Sequence, residues 1–205
     1  MESTGNKVLI AVLHQGLVRP ELFGVLLSAT IDKRFQTSIR FYDLKPSENN
    51  RNQTVKDALD EGFDYLISID HDVVPMGKIL DLVDLDKDVV GCACPQWNMS
   101  DPHFPIYFVG MDRVEGGYKE HKDRNGLQEV DAVGSGAICM SRKVLEAVKE
   151  PFCRKWKDGF AVTGLDFYFC EKAKEQGFKV FCHYGIPASH FKDINLMDAY
   201  NALAN

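Results

Sequence analysis

The chain has 205 residues, 45% hydrophobic, 26% charged and 11% aromatic, enough for one packed core of roughly 100–200 residues with little left for a second. Thirty acidic against twenty-four basic side chains give a formal charge of -6, so net charge supplies no sequence-independent pull toward phosphate backbones or anionic membranes, and bulk nucleic-acid binding is not expected. The six cysteines fall at 92, 94, 139, 153, 170 and 182 with no C-x-x-C pair and no zinc-like Cys/His spacing, so they read as reduced and mostly buried thiols.

In chain order, Lys7 to Leu13 reads as a strand. Its apolar run from Val8 is far short of the ~20 residues of a membrane span and lacks a basic flank or cleavage site, so a cytoplasmic chain with no membrane span is expected, in a host cytoplasm if the source is viral. Pro20 to Ile31 follows as a helix, Thr37 to Tyr42 as a strand, Arg51 to Glu61 as a helix with Val55, Ala58 and Leu59 on one face, and Phe63 to Ile69 as a buried strand. Pro75 suits a first helical position and opens a helix predicted to run to Leu85. Val89 to Ala93 is a strand, Pro95 to Pro105 a loop rich in proline and aromatics, and hairpin-like material continues to Val133. Val144 to Lys149 and Leu165 to Gln176 read as helices, Phe178 to His183 as a strand and Ile194 to Ala204 as a terminal helix. Strand-helix alternation over the first ninety residues predicts an α/β fold with a mainly parallel central sheet flanked by helices, in one domain. Ligands of such sheets sit at the carboxyl ends of the strands.

The strand Tyr65 to Ile69 runs straight into Asp70-His71-Asp72. Residues i and i+2 of an extended chain point to one side, so the two carboxylates converge on a hard cation, or on a cation and a ribose hydroxyl. A solvated turn, with Asp72 capping the next helix, explains the same residues equally well. Further on, Asp166 lies in the first turn of a helix with Leu165, Phe169 and Ala173 on its apolar face. The helix dipole there favours an ionised carboxylate, a modest base for a hydroxyl that loses its proton late, and equally explains an aspartate without a chemical role. His190 follows the last strand and is either a third metal ligand, in a mixed oxygen and imidazole set that suits Mn2+, or a partly exposed loop residue.

Together these segments resemble the GT-A glycosyltransferases, most nearly the small family 2-like enzymes of bacteria and viruses, over most of the chain. Val8 to Gly16 matches the family's first strand and loop, Asp70-His71-Asp72 its Asp-x-Asp, Gly134-Ser135-Gly136 its small-residue sugar-pocket segment, and Gly164-Leu165-Asp166-Phe167-Tyr168-Phe169-Cys170 its catalytic helix start. The resemblance implies a Rossmann-like GT-A domain over residues 1–205, with a nucleotide-sugar half at about 1–95 and an acceptor and catalytic half at about 96–205. It implies Mn2+, or Mg2+, held by Asp70, Asp72 and His190 on the diphosphate of a nucleotide-sugar, UDP being the commonest nucleotide. Asp166 would deprotonate a hydroxyl of a carbohydrate or glycoconjugate acceptor, with inversion. Leu165 stands where the family has glutamate, and Leu13-His14-Gln15-Gly16 where a Pro-Thr-Tyr type loop is commoner.

Arg51, in the polar run Ser47 to Asn52 ahead of the predicted helix, is placed to reach a phosphate or base, or is solvated. Asp43 contacts the base or caps its loop. Gly134 and Gly136 admit close approach of a sugar, or mark a bulge. Core packing is the first reading for Trp97 and Trp156, with stacking on sugar rings as the second. His14, His71, His103, His121 and His183 carry no assigned role. Asp70-His71-Asp72 also fits the haloacid-dehalogenase phosphohydrolases, with Asp70 as nucleophile, although that family carries the pair on its first strand and ends in a late acidic pair absent here. A sugar nucleotidyltransferase expects a glycine-rich first loop, and Leu13 to Leu17 has one glycine. A non-catalytic nucleotide-sugar-binding domain is the remaining alternative.

Overall fold

The computed structural model describes residues 5–97 and 106–193. The run Lys-Val-Leu-Ile-Ala-Val-Leu forms β1 (Lys7–Leu13), buried from Val8 onward, as a central strand covered on both faces must be. It is followed by α1 (Leu22–Ile31), β2 (Gln36–Tyr42), α2 (Ser47–Asp60) and β3 (Tyr65–Asp70). The helix α2 starts four residues ahead of the predicted Arg51, so the polar run is its first turns, and Asn50, Arg51 and Thr54 are buried beside Val55 and Ala58.

The predicted Pro75 to Leu85 helix is replaced by a short strand and one helical turn. Val73 and Val74, β-branched and suited to a strand, form β4 (Val73–Pro75), and α3 (Asp81–Asp84) is all that is helical in this segment. Proline ends the strand, where it has no ladder N–H to lose. Then come β5 (Val89–Cys92), β6 (Pro95–Trp97), β7 (Ile106–Phe108), the hairpin of β8 (Gly110–Val114) and β9 (Gly117–Glu120), β10 (Leu127–Val130) and β11 (Ala132–Val133). After the glycine turn, β12 (Ala137–Ser141) is a fully buried strand with no counterpart in the sequence expectations. The chain continues through α4 (Arg142–Ala147), β13 (Lys155–Lys157), β14 (Phe160–Thr163), α5 (Leu165–Glu175), β15 (Val180–His183) and β16 (Ala188–His190). The predicted terminal helix at 194–204, most of the Pro95 to Pro105 loop and His103 lie outside the described residues.

Seven strands form the central sheet in the order β10-β15-β5-β12-β3-β1-β2. Five point one way, while β12 and β10 run against them. Alternate residues of β1 feed two cores. Leu9, Ala11 and Leu13 join Val55, Ala58, Val144, Leu145, Phe169 and Ala173 of α2, α4 and α5. Val8, Ile10 and Val12 join Leu22, Leu26 and Ala29 of α1 and Leu82 and Val83 of α3 on the opposite face. No helix among the described residues is long and apolar enough to cross a membrane. All six thiols are free and five are buried.

Candidate active site

The carboxyl ends of β1 and β3 open into a cleft of about 260 Å³ lined by His14, Lys45, Asn50, Asp70, Asp72 and Lys192. A second compartment of about 220 Å³ adjoins it, lined by Gly134, Ser135, Gly136, Leu165 and Asp166. Ser47, Arg51, Asp70, Gln96 and His190 line both. Only joined do the two reach the ~300–1,000 Å³ of small-molecule sites.

Asp70 ends β3 where its backbone N–H donates to the Gly136 carbonyl at 2.8 Å, joining the strand end to the glycine turn. Its carboxylate faces Arg51, whose Nη2 lies 2.8 and 2.9 Å from the two oxygens. Arg51 Nη1 donates to Ser68 Oγ at 3.3 Å and to the Ser135 carbonyl at 3.2 Å. Arg51 is therefore a buried strut between β3 and the glycine turn, not a solvated loop residue. Asn50 beside it pins the loop after β2, accepting from Leu44 N–H at 3.2 Å and donating to the Tyr42 carbonyl at 3.0 Å.

The antiparallel pairing of β16 with β4 sets His190 opposite Val73 and so beside Asp72. Its Nδ1 lies 2.9 Å from the Pro95 carbonyl, which only accepts, so Nδ1 carries a proton and Nε2 is the atom turned toward Asp72 Oδ2, 3.4 Å away. Lys192 Nζ donates to the same oxygen at 2.9 Å. Burial works to raise the Asp72 carboxyl, and the hydrogen bonds and charges of His190 and Lys192 overcome it, holding the group well below the usual carboxylate range. Among the described residues no three His, Cys, Asp or Glu side chains converge as a ready metal cage. Asp72 and His190 come together, while Asp70 is turned to Arg51.

Asp166 lies half-buried in the first turn of α5, its Oδ1 accepting from the Phe167 N–H at 3.0 Å. The helix position predicts an easily ionised group, but burial dominates. It pushes the carboxyl up, against the opposing pull of the Phe167 and Ser135 backbone and the Arg51 charge. Gly136 is packed tightly, since a Cβ there would lie 3.0 Å from Val73 Cγ2. At Gly134 it would meet Val109 at 3.4 Å. Asp43 is exposed in the loop after β2, beside the lining residues Leu44 and Lys45. Trp156, read first as core, is exposed. His183 accepts from Ile186 N–H and His121 meets Asp112, both structural roles. Lys192 was missed by sequence reasoning, although His190-Phe191-Lys192 places 190 and 192 at i and i+2, the spacing that sets two side chains on one side.

Strand order, flanking helices and a carboxylate-bearing cleft at the strand ends define a Rossmann-like α/β fold of the GT-A type. Among solved structures the chain is similar to A197 from STIV, with TM-score 0.61 and 20% identity over 91% of this chain and 86% of that one. It is also similar to GalNAc-T7 crystallised with UDP, GalNAc and Mn2+, with TM-score 0.51 and 9% identity over 100% of this chain and 48% of the other, so that it spans about half of that protein's length. Apo UDP-glucose pyrophosphorylase aligns at a TM-score of 0.45, too low to carry an argument. The chain matches no protein-family model and no curated protein sequence.

Proposed function

We propose that the chain is a glycosyltransferase that moves a sugar from a nucleoside-diphosphate sugar, a UDP-sugar, to a hydroxyl of a carbohydrate or glycoconjugate acceptor, with inversion. The observation that carries this reading is the pair of adjoining compartments, with Asp72 in one, Asp166 in the other, and Arg51, Asp70 and His190 lining both. In this scheme residues 1–95 form the nucleotide-sugar half and 96–205 the acceptor half, with His190 and Lys192 returning to the donor side.

The donor set suits a divalent ion. Nε2 of His190 and the Asp72 carboxylate face one another, and each Asp70 oxygen keeps a lone pair beyond its contact with Arg51. Asp72 and His190, joined by Asp70, would hold Mn2+, which when bound supplies positive charge for the departing diphosphate. GalNAc-T7 holds UDP and Mn2+ in its crystal, and the same pair is the first to try here. Lys192 and Lys45 add fixed positive charge along the diphosphate compartment. Asp166, its affinity for a proton raised by burial, takes the acceptor proton as the new bond to the anomeric carbon forms. The phosphohydrolase alternative needs Asp70 as a free nucleophile, and both of its oxygens contact Arg51.

Calorimetry with UDP and UDP-sugars, with and without Mn2+, on the parent chain, Asp72→Ala and Asp166→Asn tests this reading. Mn2+-dependent binding that is lost in Asp72→Ala and kept in Asp166→Asn, together with loss of transfer in Asp166→Asn, supports it. Absence of nucleotide binding combined with Mg2+-dependent phosphate release from small phosphoesters overturns it.

A further inference from the structure

Between α4 and α5 the chain leaves the body of the fold as a two-stranded ribbon, β13 and β14, that joins no other strand among the described residues. Asp158 and Gly159 form its tip with φ of 51° and 84°. Two positive values in an Asp-Gly pair between facing Lys157 and Phe160 are the mark of a type I′ hairpin, whose twist matches its strands. The base is fastened to α2. Asn52 Nδ2 donates to the Phe152 carbonyl at 2.8 Å, Phe152 N–H donates to Asn52 Oδ1 at 3.1 Å, and Arg154 pairs with Glu48 at 2.5 Å.

Beyond this clamp the ribbon is exposed from Lys155 through Val162, with Trp156 64%, Phe160 75% and Val162 51% accessible. Directly paired residues share a face, so Lys157 and Phe160 lie on one side and Trp156 and Ala161 on the other, with a register shift next to Trp156. Large aromatic groups therefore project from both faces. A groove or a second sheet stacked on one side would cover only half of them. An isolated two-stranded ribbon is marginal in water, and a medium that surrounds it covers both faces at once. A lipid–water interface does so, with aromatic rings at headgroup depth and the Lys155 and Lys157 stems reaching back to the phosphates. Those two lysines against Asp158 leave the ribbon positive in a chain of net charge -6, which favours this end of the molecule facing an anionic surface.

We propose that the hairpin 155–163 seats the protein on an anionic lipid surface. Thr163 and Gly164 run from the ribbon directly into the helix bearing Asp166, so seating brings that carboxyl close to the lipid headgroups. On the glycosyltransferase reading, the acceptor is then a lipid-linked hydroxyl.

Cosedimentation with vesicles of phosphatidylcholine alone, and of phosphatidylcholine and phosphatidylglycerol in equal parts, tests the seating without nucleotide. The expected result is binding to the anionic vesicles that weakens with salt, falls about tenfold or more in Trp156→Ala/Phe160→Ala, and falls also in Lys155→Glu/Lys157→Glu. Both pairs are exposed, and unchanged melting temperatures and unchanged UDP affinity would confirm that fold and donor site are intact. Equal vesicle binding by parent and variants, or none by the parent, overturns the proposal, as does retention of the parent by an immobilised oligosaccharide in place of vesicles. Failure of UDP binding with vesicle binding retained would count against the glycosyltransferase reading alone.

Discussion

Replacing Arg51 with methionine keeps most of the buried stem and removes the charge that faces Asp70. The arginine side chain is 9% exposed and its partner 27%. Deleting one member of a fully buried pair costs about 3–5 kcal/mol, mainly because the other charge is left stranded. Asp70 opens onto the cleft, so water recovers part of that loss and about 2–3 kcal/mol remains. In a chain of this size each kcal/mol moves the melting temperature by about 2–4 °C, which gives a fall of about 5–10 °C. Asp70→Asn strands the guanidinium instead and is expected to cost a similar amount. The double variant strands neither, so a double-mutant cycle by urea unfolding is expected to give a coupling of about 1.5–3 kcal/mol. Because the contact is largely shielded from solvent, added salt should leave that coupling nearly unchanged. A coupling within about 0.3 kcal/mol of zero would refute the strut, since the two groups would then be solvated independently.

Burial raises the Asp166 carboxyl above its unfolded value, so the folded chain holds more protons than the unfolded one between the two values, and stability falls as pH rises through that window. Asp166→Asn removes this penalty and is expected to melt higher than the parent at neutral pH while losing transfer activity, as read by melting curves across the acid and neutral range. Gly136→Ala forces a Cβ to 3.0 Å from Val73 Cγ2 and is expected to cost about 1–3 kcal/mol in urea unfolding, whether or not a sugar passes that turn. Thiol titration of the native chain should show one fast group, the partly exposed Cys153, and five that react only on unfolding.

The elements from Lys7 to Asp70 were legible in sequence because their strands are continuous apolar runs and their helices carry periodic faces. The failures share a cause, which is pairing with distant segments. Pro75 looked like a helix start because nothing local announces β16, 113 residues on, to which Ala188 brings the partner of Pro75. The strand β12 was overlooked because two glycines ahead of it read as a loop, although Ala137 to Met140 is as apolar as β3. Asp70, Asp72, His190 and Arg51 were singled out from type and position, and the structure lines one cleft with all four, but the contacts among them were not legible. Arg51 was expected to reach a phosphate or base or to be solvated, not to pair with Asp70, and the carbonyl of Ser135 and the ammonium of Lys192 meet the site only through tertiary packing. Asp166 was placed correctly in its first helical turn, yet the sign of its shift belongs to the neighbours that exclude water, which the order of residues does not display.

The antiparallel β12 between β3 and β5 also has a consequence for synthesis. When the chain has been made to residue 95, β1, β2 and β3 have each other, but β5 has neither of its neighbours, because β12 and β15 are still untranslated. At about 5–20 residues per second, the stretch from 95 to 141 takes roughly 2–9 s. For that interval the nascent sheet carries an open apolar edge along β3 and an orphan strand of the sequence Val-Val-Gly-Cys. Chaperone dependence and aggregation on slow translation should therefore be concentrated in this window, and fall once Ser141 has emerged and β3 and β5 close on β12, leaving the far edge of β5 to wait for β15.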